Sequence, residues 1–112
     1  MIEDFVKEYL QEKLDVPTYT EIPKDPPERY IIIERTGQTR TNFIYESILA
    51  VQNYCKSLYE AAQLNHLVNS TMLDELIKEK EISEVQMNGS TNFTDPAKHQ
   101  PRYQSVFAIK HY

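Results

Sequence analysis

The sequence is poor in the residues on which several common functions depend. It has one cysteine, two glycines and no tryptophan among 112 residues. With Cys55 alone, no disulfide can form within the chain. The fold is therefore expected not to depend on oxidation, as suits a protein made in a reducing cytoplasm. Cys55 itself reads as a small buried apolar residue rather than a nucleophile. The two glycines, Gly37 and Gly89, cannot supply the glycine-rich turn of a P-loop or of a dinucleotide-binding fingerprint. No apolar run exceeds four residues, whereas a transmembrane helix needs about twenty. The opening Met1-Ile-Glu-Asp-Phe5 has no basic region followed by an apolar stretch, so no signal peptide is expected. The expectation is a soluble, unsecreted protein with no membrane partner.

Positive charge is also scarce. Twelve basic residues stand against seventeen acidic ones, a net charge of −5. Most of such a surface repels duplex DNA, and direct nucleic-acid binding is not expected. The one basic patch to look for would come from Arg29, Arg35, Arg40 and Arg102.

What is present argues for one folded domain over residues 1–112. Apolar residues make up 40% of the chain, and there are eight tyrosines and four phenylalanines, more aromatics than a disordered chain carries. Ile2, Phe5, Val6, Tyr9, Leu10 and Leu14 recur at helical spacing, with Glu3, Lys7, Glu8 and Gln11 on the other face. Pro17 should end that helix. Thr18 to Ile22 is a short strand candidate. Pro23 to Glu28, with three prolines, reads as an extended surface loop. Tyr30 to Arg35 is β-branched and predicts a strand buried on both faces for part of its length.

Thr36 to Asn42 is polar and predicts a loop, in which Gly37 is free to take a positive φ. Phe43 to Tyr54 predicts a long strand, antiparallel to the previous one. Phe43, Tyr45, Leu49 and Val51 fall on one face, and Ile44, Ile48 and Ala50 on the other. Ser57-Leu-Tyr-Glu60 has capping-box spacing, so a helix should start there. Its apolar face runs from Leu58 through Ala61, Ala62, Leu64, Leu67, Val68, Met72, Leu73 and Leu76 to Ile77, weakened in the middle by Asn69-Ser70-Thr71. Ile82 to Asn88 predicts a strand, Gly89 to Arg102 a long loop, and Tyr103 to Tyr112 a final strand. In that strand Tyr103, Phe107 and Ile109 share one face, and Val106, Ala108 and Tyr112 the other. The class is α+β: a mostly antiparallel sheet of about four to five strands packed with two helices.

Chemistry-bearing patterns are missing. His66, His99 and His111 read as surface or partly buried residues, and no serine sits in a nucleophile-elbow motif. There is no His-Glu-x-x-His, no cysteine pair and no EF-hand loop. Glu79, Glu81 and Glu84 read as a solvated charge run. No catalytic residue, cofactor or metal is assigned, and an enzyme is not expected.

Several stretches, taken in order, carry a resemblance. They are Tyr9-Leu10 with Leu14 and Val16-Pro17-Thr18-Tyr19, then Pro27-Glu28-Arg29-Tyr30 and Ile33-Glu34-Arg35-Thr36-Gly37. Ile48-Leu49-Ala50-Val51-Gln52-Asn53-Tyr54 and Ser57-Leu-Tyr-Glu-Ala-Ala-Gln-Leu64 follow, and Asp95 with Arg102-Tyr103-Gln104 closes the set. Their order and spacing resemble the tail terminator, or minor structural, proteins of siphoviruses and of prophages in Gram-positive bacteria. The resemblance covers nearly the whole chain. It departs at Gln38, where a second glycine after Gly37 would be expected, and in the stretch from Gly89 to Arg102.

The resemblance implies a non-catalytic virion protein at the tail–neck junction. It implies a ring of copies, typically a hexamer, that caps the tail tube, ends tube polymerisation and offers a surface for head joining. The implied partners are further copies of the chain, the tail tube protein and a head completion or neck protein. By the same analogy Arg35, Thr36, Gly37, Gln38 and Arg40 in the first loop are contact candidates, with Asp95, His99 and Arg102 in the second. Other readings are a different neck or head–tail adaptor, a small ligand-binding α+β domain, and a DNA-contacting virion protein.

Overall fold

The computed structural model describes residues 1–94 and 100–112. Helix α1 (Ile2–Leu14) buries Ile2, Val6 and Leu10, one residue per turn, as its apolar periodicity requires. Its last residue, Leu14, lies three positions before Pro17. Asp15 takes the left-handed conformation, with φ 53°, and its N–H returns to the Gln11 carbonyl at 3.0 Å.

Five strands follow the order β1-β2-β3-β5-β4. They are β1 (Thr18–Tyr19), β2 (Tyr30–Thr41), β3 (Ile44–Tyr54), β4 (Ile82–Asn92) and β5 (Arg102–His111). Only the short β1–β2 pairing is parallel; β2–β3, β3–β5 and β4–β5 are antiparallel. Helix α2 (Leu58–Ser70) starts at the Ser57 cap, whose hydroxyl accepts from the Glu60 N–H at 3.1 Å. The α-helix ends inside the weak Asn69-Ser70-Thr71 stretch, at Ser70. The helical path passes into a π turn (Thr71–Glu75) and then a 3-10 turn (Leu76–Lys78).

Both helices lie on one face of the sheet. Ile2, Val6 and Leu10 of α1 and Ala61, Leu64 and Val68 of α2 join Ile31, Ile33, Leu49, Val51, Phe107 and Ile109 of the strands in one core. Each of these side chains larger than alanine, once fully buried, contributes about 1.5–3 kcal/mol. Cys55 belongs to this core, 2% exposed. A second small cluster of Tyr30, Ile32 and Tyr54 sits apart from it. There the Tyr30 and Tyr54 rings, direct cross-strand partners, stack at 4.5 Å. That pairing explains why Tyr30 to Ile33 is buried on both faces.

Several boundaries differ from the sequence reading. Thr36 to Thr41 is not a loop but the outer half of β2, and Thr41 pairs with Ile44. The turn is only Asn42-Phe43, with φ 52° and 69°, the positive pair that a type I′ hairpin demands. Threonine is as much at home in a solvated strand as in a loop, so polarity alone misplaced this segment. Gly37 has no positive φ. It follows a bulge at Thr36, where the β2–β3 register shifts, and opposes Ile48. Phe43 lies in the turn rather than in the strand.

Gly89 to Asn92 likewise continues β4 rather than entering a loop, and β4 carries register shifts at Ser83 and Asn88. The first strand is only Thr18–Tyr19, because β2 offers it just two partners, Ile31 and Ile32. Leu58 and Leu67 are exposed rather than part of the buried α2 face, and Tyr112 lies beyond β5. No helix among the described residues is long and apolar enough to cross a membrane.

Candidate protein-contact surface

The first contact segment is a strand, so its residues alternate between faces. Cross-strand partners share a face. Arg35 opposes Leu49, Gln38 opposes Ser47 and Arg40 opposes Tyr45, which places all three on the helix side of the sheet. The Thr36 bulge keeps them in one row, since without it Gln38 would follow Arg35 onto the opposite face. Gly37 faces away with Ile48. Thr36 is exposed, its hydroxyl 3.5 Å from the Ile48 carbonyl.

The N-terminal turn of α1 ends beside this row, leaving a cavity of about 600 Å³ between the helix and the strands. Arg35, Gln38, Tyr45 and His111 form its strand wall; Met1, Ile2 and Phe5 stand opposite, and Glu81 and Tyr112 complete it. Arg35 Nε reaches Glu3 Oε2 at 3.3 Å, tying α1 to β2. Gln38 Nε2 donates to Ser47 Oγ at 2.8 Å, and Ser47 Oγ lies 2.8 Å from His111 Nε2. His111 Nδ1 is 3.4 Å from the Tyr112 carbonyl, which can only accept. The neutral ring therefore carries its proton on Nδ1, and Nε2 accepts from Ser47. Burial lowers the His111 pKa below its ordinary 6.5. The Tyr112 carbonyl opposes that effect, Arg35 adds to it, and Glu3 acts weakly the other way. The imidazole also stacks on Tyr45 at 5.5 Å.

Beyond the cavity the β2–β3 hairpin ends in an exposed cationic and aromatic tip. The Arg40 guanidinium lies 5.2 Å from the Phe43 ring and 5.3 Å from the Tyr45 ring. Phe43 is 80% exposed. Its φ of 69° is an outlier for a bulky side chain, since glycine is the residue that takes this turn position without strain.

Arg102, at the start of β5, is not part of this surface. Its Nε donates to the Phe93 carbonyl at 2.8 Å and its Nη1 to the Tyr54 hydroxyl at 2.7 Å. Its guanidinium also packs over both rings. These bonds commit it to holding β5 against the end of β4. Asp95 and His99 lie outside the described residues. Arg29 borders a second concavity of about 810 Å³, with Cys55, Tyr59, His66 and Leu67 at the start of α2. Burial pushes the Cys55 thiol pKa up, with Arg29 opposing, so this thiol is a poor source of thiolate.

Ser47 and His111 have nucleophile–base spacing, with Ser47 fully buried. No set of three His, Cys, Asp or Glu residues among the described ones is placed to hold a metal.

Of the residues that line this cavity and hairpin tip, sequence reasoning had singled out Arg35, Gln38 and Arg40 as contact candidates and not Phe43, Tyr45, Glu81 or His111. Asn42 was the one available signal, because asparagine tolerates positive φ and favours a tight turn there. No protein-family model matches the chain, and no curated protein matches it at a significant level.

Proposed function

We propose that this chain is a phage or prophage assembly protein without catalytic activity: a tail terminator that forms a ring on the tail tube, ends its polymerisation and presents a surface for head joining. The observation that carries the reading is the β2–β3 hairpin. It holds a strained, exposed Phe43 and its Arg40 partner at the tip, beside a cavity on the same face of the sheet. Aromatic and arginine side chains with little cover are the usual anchors of protein interfaces. The resemblance along the sequence supplies the particular assembly, and the α+β fold with a helix-covered sheet is compatible with it.

Two further features support assembly. Among the described residues, the outer half of β2 has no strand on its free side, because β1 pairs only with Ile31 and Ile32. β4 is the other sheet edge along its whole length. The bulges in both strands are the device by which free edges avoid indiscriminate pairing. Specific contacts through side chains are what remain.

The test mixes purified chain with tail tube protein of the same source and images the product by negative-stain microscopy. Tubes of limited length with the chain at one end are expected. Unaltered tubes without co-sedimentation would overturn the terminator reading, and binding to portal or adaptor protein instead would establish the neck-adaptor reading.

A further inference from the structure

We infer that the hairpin tip of one copy, Phe43 with Arg40, seats in the cavity between α1 and β3 of a second copy, with Arg40 against the neighbour's Glu81. The inference rests on the self-assembly part of the proposed function and names the contact that would drive it.

Three observations converge on this contact. The first is strain. A phenylalanine held at φ 69° and 80% exposed buries little within its own fold. Backbone strain retained in the tip of a hairpin is characteristic of residues kept for an external contact. Arg40 packs against the ring, so the two present one rigid cationic and aromatic unit.

The second is the cavity. Phe5 forms part of its wall, and Met1 and Tyr112, 72% and 67% exposed, stand at its mouth. Their apolar surface has no cover. The tip of the same chain cannot supply it, because a two-residue turn allows no fold-back and Arg40 already rests on Tyr45 at the cavity's rim.

The third is charge. Arg35 and Glu3 already pair inside the cavity wall. Among the described residues, neither Arg40 nor Glu81 has an ion-pair partner. A tip from a neighbour brings the unpaired cation to the unpaired carboxylate.

The two surfaces are different and lie at the same end of the molecule, since Tyr45 belongs to both. The contact we infer is heterologous, each copy giving its tip to one neighbour and its cavity to another, and copies related in this way form a ring when their rotation closes.

The experiment is sedimentation velocity on the full chain from micromolar to millimolar concentration, with thermal melts in parallel. Wild type should associate as concentration rises. Phe43→Gly should melt at or above the wild-type temperature, because glycine relieves the turn, yet associate at least roughly tenfold more weakly. Arg40→Glu and Glu81→Arg should each weaken association by a similar factor, and the double variant should regain much of it. A monomeric wild type at every concentration would overturn the contact. Unchanged association in Phe43→Gly would do the same, and so would a double variant as weak as either single one. Tube capping separates this result from the functional reading. If Phe43→Gly caps tubes as wild type does, the seat is wrong and the terminator role stands. If the tip drives association but tubes are never capped, the reverse holds.

Discussion

Ser47 and His111, sixty-four residues apart in sequence, share a 2.8 Å hydrogen bond at the base of the cavity, and Gln38 completes the chain by donating to the same serine. The serine hydroxyl has one proton. With neutral His111 it donates that proton to Nε2 and accepts from Gln38. With protonated His111 it would face two donors, and its own proton would have no place in the row.

Stability should therefore depend on pH through His111. The folded-state pKa lies below the ordinary 6.5, so in the window between the two the unfolded chain binds the extra proton. The stability this group contributes is present above pH 6.5 and is lost as pH falls through that value towards the folded pKa. Melting temperatures of wild type and His111→Gln, measured from neutral to mildly acidic pH, should diverge in slope, with wild type falling more steeply. Parallel slopes would show that the histidine is not the titrating group.

The polar residues of the core form a second network with its own consequence. Asn65 Oδ1 accepts from Asn53 Nδ2 and from Ser105 Oγ, each at 2.9 Å, and Asn65 Nδ2 donates to Ser90 Oγ at 2.6 Å. Asn53 and Ser105 are fully buried. Asn65→Ala should orphan the Asn53 donor at about 1–3 kcal/mol, while Ser105 Oγ keeps Ser90 Oγ, 3.1 Å away, as an acceptor. Ser90→Ala, at an exposed position, should cost well under half as much. Urea midpoints would separate the two. Equal shifts would mean that the Asn53 donor finds another partner.

Arg35 and Arg40 should behave differently although both were contact candidates. Arg35 is partly buried against Glu3, whose other oxygen already lacks a partner. Arg35→Ala should therefore cost roughly 1–2 kcal/mol, between an exposed and a fully buried ion pair. Arg40→Ala should leave the urea midpoint almost unchanged while weakening association. A matching loss of stability in both variants would remove Arg40 from the list of specific contacts.

Much of the fold could be read in the sequence, where signals are local. The stripe Ile2, Val6 and Leu10 predicts α1 because one turn of helix repeats every 3.6 residues. Ser57 predicts the start of α2 because its hydroxyl needs only the N–H three residues on. Asn65, four residues after Ala61, shares its buried face in the structure, but a polar residue there was not picked out by the apolar periodicity, and its partners were not visible.

The outer arm of β2 was not legible. Thr36 to Thr41 has the composition of a loop, and it is a strand because β3 offers it a ladder of partners from Ile48 to Ile44. The cavity was less legible still. Met1, Arg35, Gln38, Tyr45, Glu81 and His111 come from four separate stretches of chain, and no spacing between them is informative. The sequence by itself determined where the two helices start, the apolar inner halves of the long strands, that the class is α+β, and that the charge disfavours duplex DNA. The tertiary structure alone decided where the hairpin turns, that Phe43 is held out under strain, and which side chains meet beside it. Periodicity reports a neighbour one turn or one strand position away. Long-range register is set by the packing of the whole sheet against its helices.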